Sequence, residues 1–162
     1  MTILFYVVSG LVLVFGLVVL VGAPYLPTLK PNVDEAIKLT GLKPGQVLLE
    51  LGSGDGRVLL AAAKQGIRAV GYELNPLLVV WTKFITWRHR DLVVVRWGNF
   101  WLASWPEVDG IYVFLLQKYM KKLDNKSVQT YPGRNIKLVS LAFTIPGKKP
   151  YKQVKGLYLY HY

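Results

Sequence analysis

The residues whose types and spacing could do chemistry are Glu50-Leu51-Gly52-Ser53-Gly54-Asp55-Gly56-Arg57 and, at the end of the next apolar run, Gly71-Tyr72-Glu73. Glycine at every second position exposes backbone: a side chain at 52, 54 or 56 would keep a ligand away, and such turns need φ values that a Cβ disfavours. A carboxylate at position 73 is placed to accept hydrogen bonds from two ribose hydroxyls at once. The chemistry is recognition of a nucleoside-bearing cofactor, NAD or another nucleotide included, with a plain βαβ unit whose glycines only pack a helix as the alternative. A dinucleotide fingerprint, G-x-G-x-x-G, would need glycine where Arg57 stands.

The elements that position these groups follow from the flanking patterns. Residues 47–51 form a buried strand running into the turn, and 58–64 (VLLAAAK) a helix leaving it. Residues 68–73 form a second strand; Asn75 then caps a helix with Pro76 in its first turn, expected to run to about Arg88. Leu77, Val80, Trp81, Phe84 and Ile85 recur with helical spacing and are expected in the core. Residues 93–97 form a third strand, ending in Gly98-Asn99-Phe100-Trp101. A fourth is expected over 109–115 with a basic helix opening at Gln117, a fifth over 135–144, and an alternating final strand over 157–162. Upstream, Pro24, Pro27 and Pro31 mark an extended linker. Asn32 with Glu35 resembles a capping box for a helix over 33–40, closed by Gly41.

The pattern E-x-G-x-G-x-G, followed by a second strand ending in an acidic residue, resembles that of the class I seven-strand methyltransferases. The resemblance implies a Rossmann-like α/β sheet and S-adenosylmethionine as cofactor, held by Glu50, Gly52, Ser53, Gly54, Asp55, Gly56, Glu73 and Leu74. In that fold the turn after the third strand borders the adenine, where the Asn99 amide offers both a donor and an acceptor and Phe100 or Trp101 could stack. Residues 114–117 (FLLQ) stand where adenine-amino methyltransferases present N/D-P-P-Y, which argues against base N6 chemistry.

A narrower resemblance joins the apolar N-terminus, Pro24-Tyr25-Leu26-Pro27-Thr28, the glycine loop, Gly71-Tyr72-Glu73-Leu74-Asn75-Pro76 and Asn99-Phe100-Trp101. Together these resemble the small membrane-anchored protein-lysine methyltransferases that include the enzymes acting on the adenine nucleotide translocase and on the ATP synthase c-subunit. This chain is shorter in its C-terminal half. The resemblance implies N-methylation of a lysine on a membrane-associated protein, with Tyr25, Thr28, Trp101 and Gln117 on the substrate side.

Composition sets the outer limits. There is no cysteine and there are two histidines, so neither disulfides nor a thiolate metal site enters. The first 23 residues hold no Asp, Glu, Lys or Arg. A helix of about 20 such residues spans the roughly 30 Å hydrocarbon core. A cleaved signal peptide is the competing account, but the segment lacks a basic n-region and Pro24 would follow the cut. Residues 1–23 are therefore expected as a transmembrane anchor, 24–45 as linker and short helix, and 46–162 as the cofactor-binding domain. All of the net +11 charge lies after the anchor. By the positive-inside rule the domain faces the cytoplasm, or the matrix at a mitochondrial inner membrane.

Lys118, Lys121, Lys122, Lys126, Lys148 and Lys149 are expected against anionic headgroups in preference to a nucleic acid, with a solvated face as the plain alternative. Methyl transfer from a sulfonium is an in-line displacement that needs no metal, so positioning dominates. No catalytic base is assigned; His89 and His161 sit at a helix end and near the terminus. Besides the lysine enzyme, the sequence admits a membrane-attached cofactor-binding module without turnover, or transfer to phospholipid, a small amine or RNA. The oligomeric state is open.

Overall fold

The computed structural model describes residues 2–6, 9–10, 16 and 26–162. Most of the expected anchor, and Tyr25, lie outside these. Residues 2–6 and 9–10 are helical, and among the described residues no helix is long and apolar enough to cross a membrane.

The chain alternates helix and strand: α1 (Lys30–Thr40), β1 (Val47–Leu51), α2 (Arg57–Lys64), β2 (Arg68–Glu73), α3 (Pro76–Ile85), β3 (Val93–Trp97), β4 (Gly110–Val113), α4 (Gln117–Thr130), β5 (Lys137–Leu141), β6 (Lys152–Val154) and β7 (Leu157–His161). The sheet has seven strands in the order β3-β2-β1-β4-β5-β7-β6. Strands β1 to β5 are parallel, and β7 runs antiparallel to both its neighbours. The strand order reverses between β1 and β4, and in open α/β sheets a ligand crevice opens there, beyond the strand carboxyl ends. Strand β1 is central and apolar on both faces, with Leu48, Leu49 and Leu51 fully buried.

One face of the sheet packs α1, α2 and α3 through Val33, Ile37, Leu59, Ala62 and Val79. The other packs α4 through Met120 and Leu123, together with Trp105 from the β3–β4 connection. That connection, 98–109, and the one from β5 to β6, 142–151, contain no helix, which is how seven strands fit so short a chain. Trp105 and the methylenes of Lys126 fill the space: the Lys126 ammonium donates to Trp101 O and Ala103 O at 2.9 and 3.0 Å and lies over the Trp105 ring.

Several expectations shift. Helix α1 begins at Lys30, with Leu29 at its N-cap and no side-chain cap, so Asn32 and Glu35 form no capping box. Pro31 presets φ for the first turn, which lets the helix start earlier. Helix α3 ends at Ile85 and a short 3₁₀ turn, Trp87–His89, follows. Its apolar stripe faces outward: Leu77, Val80, Trp81 and Phe84 are exposed, Phe84 by 68%. The helix buries Val79 and Thr82 instead, because Gly56 lies against the Thr82 side chain and the Thr82 hydroxyl donates to Gly54 O. Strand β5 ends at Leu141, where Ala142 takes a φ of +68°. Strand β6 is new; its polar residues carry no alternation, and it exists as the edge of a hairpin turned by Lys155-Gly156, both with positive φ. Lys126 and Lys148 leave the expected basic surface, since Lys148 pairs with Asp124 and covers the Tyr162 ring.

Candidate cofactor and acceptor site

Strand β1 delivers the chain into the turn, and the backbone does most of the work of shaping it. The N–H groups of Gly52 and Ser53 both donate to Tyr72 O, folding the loop back across the end of β2. Gly71 makes room for this: a Cβ there would meet Ser53 and Leu59 at under 3 Å. Gly56, at φ +76°, is the N-cap of α2. Its missing Cβ is what allows α3 to approach through Thr82. A Cβ on Gly52, by contrast, would meet nothing within 4 Å, so that glycine faces open space.

Glu73 is almost buried, and its two oxygens are separately engaged: Oε2 accepts from Gly54 N and Oε1 from Asn75 N, each at 2.8 Å. The carboxylate is thereby locked at the strand end, and each oxygen keeps a lone pair for a further donor. Asn75 in turn caps α3, its Oδ1 accepting from Leu77 N. Glu50 is 5% exposed, and its Oε2 has no hydrogen-bond partner among the described residues; neither has Ser53 Oγ. Burial, then the nearby carboxylates of Asp55 and Glu73, push the Glu50 pKa well above the ordinary glutamate range.

These groups open into a cavity of about 310 Å³. Of the residues expected from sequence, Glu50, Gly52, Ser53, Gly54, Asp55, Glu73, Leu74, Asn99, Phe100, Trp101 and Thr28 line it. Gly56 does not, being turned to helix packing, and Gln117 does not either: its side chain donates to Thr144 O and ties α4 to the β5–β6 connection. Asn99 lines the cavity, but its Oδ1 accepts from Trp101 N, so the acceptor half of its amide holds its own turn. Phe100 and Trp101 stand 4.7 Å apart, tilted by 45°. His89 and His161 do not line the cavity.

Sequence reasoning missed the linker's partner. Tyr112 lies on β4 in register with Glu50, and its hydroxyl pairs with Thr28 Oγ1 at 3.0 Å in a buried contact. Burial raises the Tyr112 pKa, so the phenol stays neutral. Arg57 Nη1 donates to Thr28 O at 2.8 Å while its guanidinium also grips Asp55. Leu26, Pro27 and Thr28 thus become one wall of the cavity. The parallel pairing of β1 with β4 was the signal that could have placed Tyr112 beside Glu50. Another part of the lining is apolar: Phe114, Leu115, Leu116, Tyr119 and Phe143.

A glycine turn at the sheet's reversal point, a locked carboxylate after β2 and an antiparallel last strand define a class I methyltransferase fold. The profile of the ANTKMT methyltransferase domain matches residues 50–152, and the chain belongs to that family. It is 33% identical over 131 residues to the ATP synthase C-subunit lysine N-methyltransferase of Xenopus laevis, covering 78% of this chain and 56% of that one. It is also 33% identical over 130 residues to the adenine nucleotide translocase lysine N-methyltransferase of Mus musculus, with the same shares. The chain thus spans about half the length of the curated relatives it matches. Among solved structures, an RNA methyltransferase of Salinibacter ruber in complex with S-adenosyl-L-homocysteine is 30% identical, with a TM-score of 0.78 over 84% of this chain and 93% of that one.

The cavity fits S-adenosylmethionine by its donor set. Glu73 keeps two acceptor sites for hydroxyl donors, the side-chain position of Gly52 is open, and Asn99 with Phe100 lines the same cavity. The unpartnered oxygen of Glu50 suits the cationic amino-acid end.

Proposed function

We propose that this chain is the catalytic part of a membrane-tethered, S-adenosylmethionine-dependent N-methyltransferase whose acceptor is a lysine of a membrane-associated protein. The observation that carries this reading is the linker. The residues that follow the apolar segment 3–21 enter the cavity wall as Leu26-Pro27-Thr28, clamped by Tyr112 and Arg57. A bilayer-spanning segment would therefore hold the cavity mouth near the membrane surface, where a lysine of an embedded protein emerges. The positive-inside rule puts the domain on the cytoplasmic side, or on the matrix side in a mitochondrion.

The bound cofactor supplies an electrophilic methyl group on a sulfonium; the chain's own residues position and desolvate. A lysine with a reference pKa near 10.4 must lose its proton, which at neutral pH costs roughly 4 to 5 kcal/mol. The apolar wall of Phe114, Leu115, Leu116, Tyr119 and Phe143 lowers that cost by disfavouring the ammonium. No side chain is assigned as a base. The names of the Xenopus laevis and Mus musculus relatives support a lysine acceptor. A second reading, an RNA acceptor, is favoured by the Salinibacter ruber structure.

The test is transfer of labelled methyl into membranes prepared without this protein, comparing the intact chain with Gly54→Arg. Label in a protein band, lost with the variant, is the expected result. Label in RNA or lipid would replace the acceptor. No label in any fraction, with cofactor binding measured by calorimetry, would make the chain a binding module without turnover.

A further inference from the structure

The outward stripe of α3 is not explained by cofactor binding. Leu77, Val80, Trp81 and Phe84 stand at i, i+3, i+4 and i+7, a spacing that builds one apolar face and that usually points to the core. Here that face is in solvent: Val80 is 67% exposed, Trp81 51% and Phe84 68%. Trp87, 58% exposed, extends the stripe into the following 3₁₀ turn. Trp97, 70% exposed, extends it past the helix start, its indole N–H donating to Leu74 O. Lys83, Arg88 and Arg90 flank it against a single Asp91, and none of the four is buried; the Arg88 guanidinium lies over the Trp87 ring.

From this we infer that the outer face of α3 seats in the headgroup boundary of a bilayer containing anionic lipid, as a second membrane contact besides the N-terminal segment. Three tryptophans, a phenylalanine and aliphatics edged by basic side chains match that boundary: indoles sit at headgroup level and basic groups reach anionic phosphates. A second copy of the chain fits less well. A two-fold contact through this face would bring the Lys83, Arg88 and Arg90 edges of both copies against each other, with a single Asp91 on each to offset them. Helix α3 also lies beside the linker that leads to the N-terminal segment, since Leu78 and Leu26 line the same cavity. The inference deepens the membrane-tethered reading and rests on it for the nearness of a bilayer.

The chain provides its own probe, because all five tryptophans lie after residue 80 and the apolar N-terminus holds none. The full chain is reconstituted in phosphatidylcholine–phosphatidylglycerol vesicles with or without bromine on the acyl chains, and tryptophan emission is recorded. Expected is bromolipid quenching that is largely lost in Trp81→Phe/Trp87→Phe/Trp97→Phe, a change that keeps the face apolar, while Trp101 and Trp105 stay unquenched. Flotation after an alkaline wash reports the tether separately. A chain that floats with Trp81 and Trp87 unquenched overturns the α3 inference and leaves the tether standing. Quenching at α3 in a chain stripped by the wash supports the inference and removes the tether. Emission that shifts with protein concentration, without lipid, would overturn it in favour of self-association. As a check on folding, Trp81→Ser/Phe84→Ser is expected to retain cofactor affinity while losing the quenching signal of Trp87.

Discussion

Glu73→Gln separates the two duties of the residue on which the cofactor assignment rests. In the wild type, Oε1 and Oε2 each accept a backbone N–H at 2.8 Å, from Asn75 and Gly54. A carboxamide has one oxygen and one NH₂ group, so whichever way it turns, one of these N–H groups faces a donor. Leaving a buried donor unsatisfied costs about 1–3 kcal/mol, and a domain of this size loses about 2–4 °C in Tm per kcal/mol. On the ligand side, two charge-assisted hydrogen bonds become at best one neutral acceptor and one donor. At about 1 kcal/mol or slightly more per bond the loss is about 2–3 kcal/mol, or about 30- to 150-fold in Kd. Calorimetric titration with S-adenosylhomocysteine reads the second effect, and scanning calorimetry of the ligand-free protein the first. A lowered Tm with unchanged affinity would refute the ribose assignment and leave Glu73 as a brace for the glycine turn alone. Glu73→Asp, charged but one methylene short of spanning both N–H groups, is expected between the two in affinity.

Gly56→Ala is expected to be far more damaging than its size suggests: the methyl would occupy the space of the Thr82 side chain at a φ of +76°. The left-handed backbone costs about 1–2 kcal/mol and the overpacking about 1–3 more; an unchanged urea midpoint would show that α2 and α3 do not pack through this glycine. Ala142→Gly should do the opposite, relieving a φ of +68° for a gain of about 1–2 kcal/mol, read as a rise in Tm that a flat result would contradict. For Glu50, whose pKa in the fold is raised by burial and then by Asp55 and Glu73, the stabilising contribution is complete below the ordinary glutamate range. It is lost as pH rises through the raised value. Ligand-free wild type should therefore lose stability across that window and Glu50→Gln should not, while binding of a cationic cofactor within the same window should release a proton, seen as buffer-dependent heat. Parallel pH profiles for the two proteins would remove Glu50 from the linkage.

The glycine turn was legible because its backbone demand is local: Gly52, Gly54 and Gly56 all take positive φ, although Gly56 serves the approach of α3 and not the cavity for which it was read. Glu73 was legible because a strand end fixes where a carboxylate points. The linker's entry into the cavity was legible in outline, but not through Thr28 and Tyr112, because a hydroxyl pair spanning 84 positions leaves no local mark. Strand β6 had no mark either, since Lys152 and Gln153 are exposed edge residues whose pairing depends on a turn two residues later. The early start of α1 was hidden by reading Pro31 as a breaker when in a first turn it is a starter.

The reversed face of α3 is the most instructive case, because periodicity was right and direction was wrong. A stripe at helical spacing says which residues share a face; it does not say what that face meets. The rotation of α3 is set at its ends and by the cofactor turn: Asn75 is held by Glu73 Oε1 and caps the helix, and Thr82 is drawn to Gly54 O by its hydroxyl. Those two polar contacts, both with the cofactor machinery, fix Val79 and Thr82 inward. Geometry then leaves only the outside for Leu77, Val80, Trp81 and Phe84. The carboxylate that lines the cofactor cavity therefore also orients the apolar face, so Glu73 couples that cavity to the exposed surface of α3.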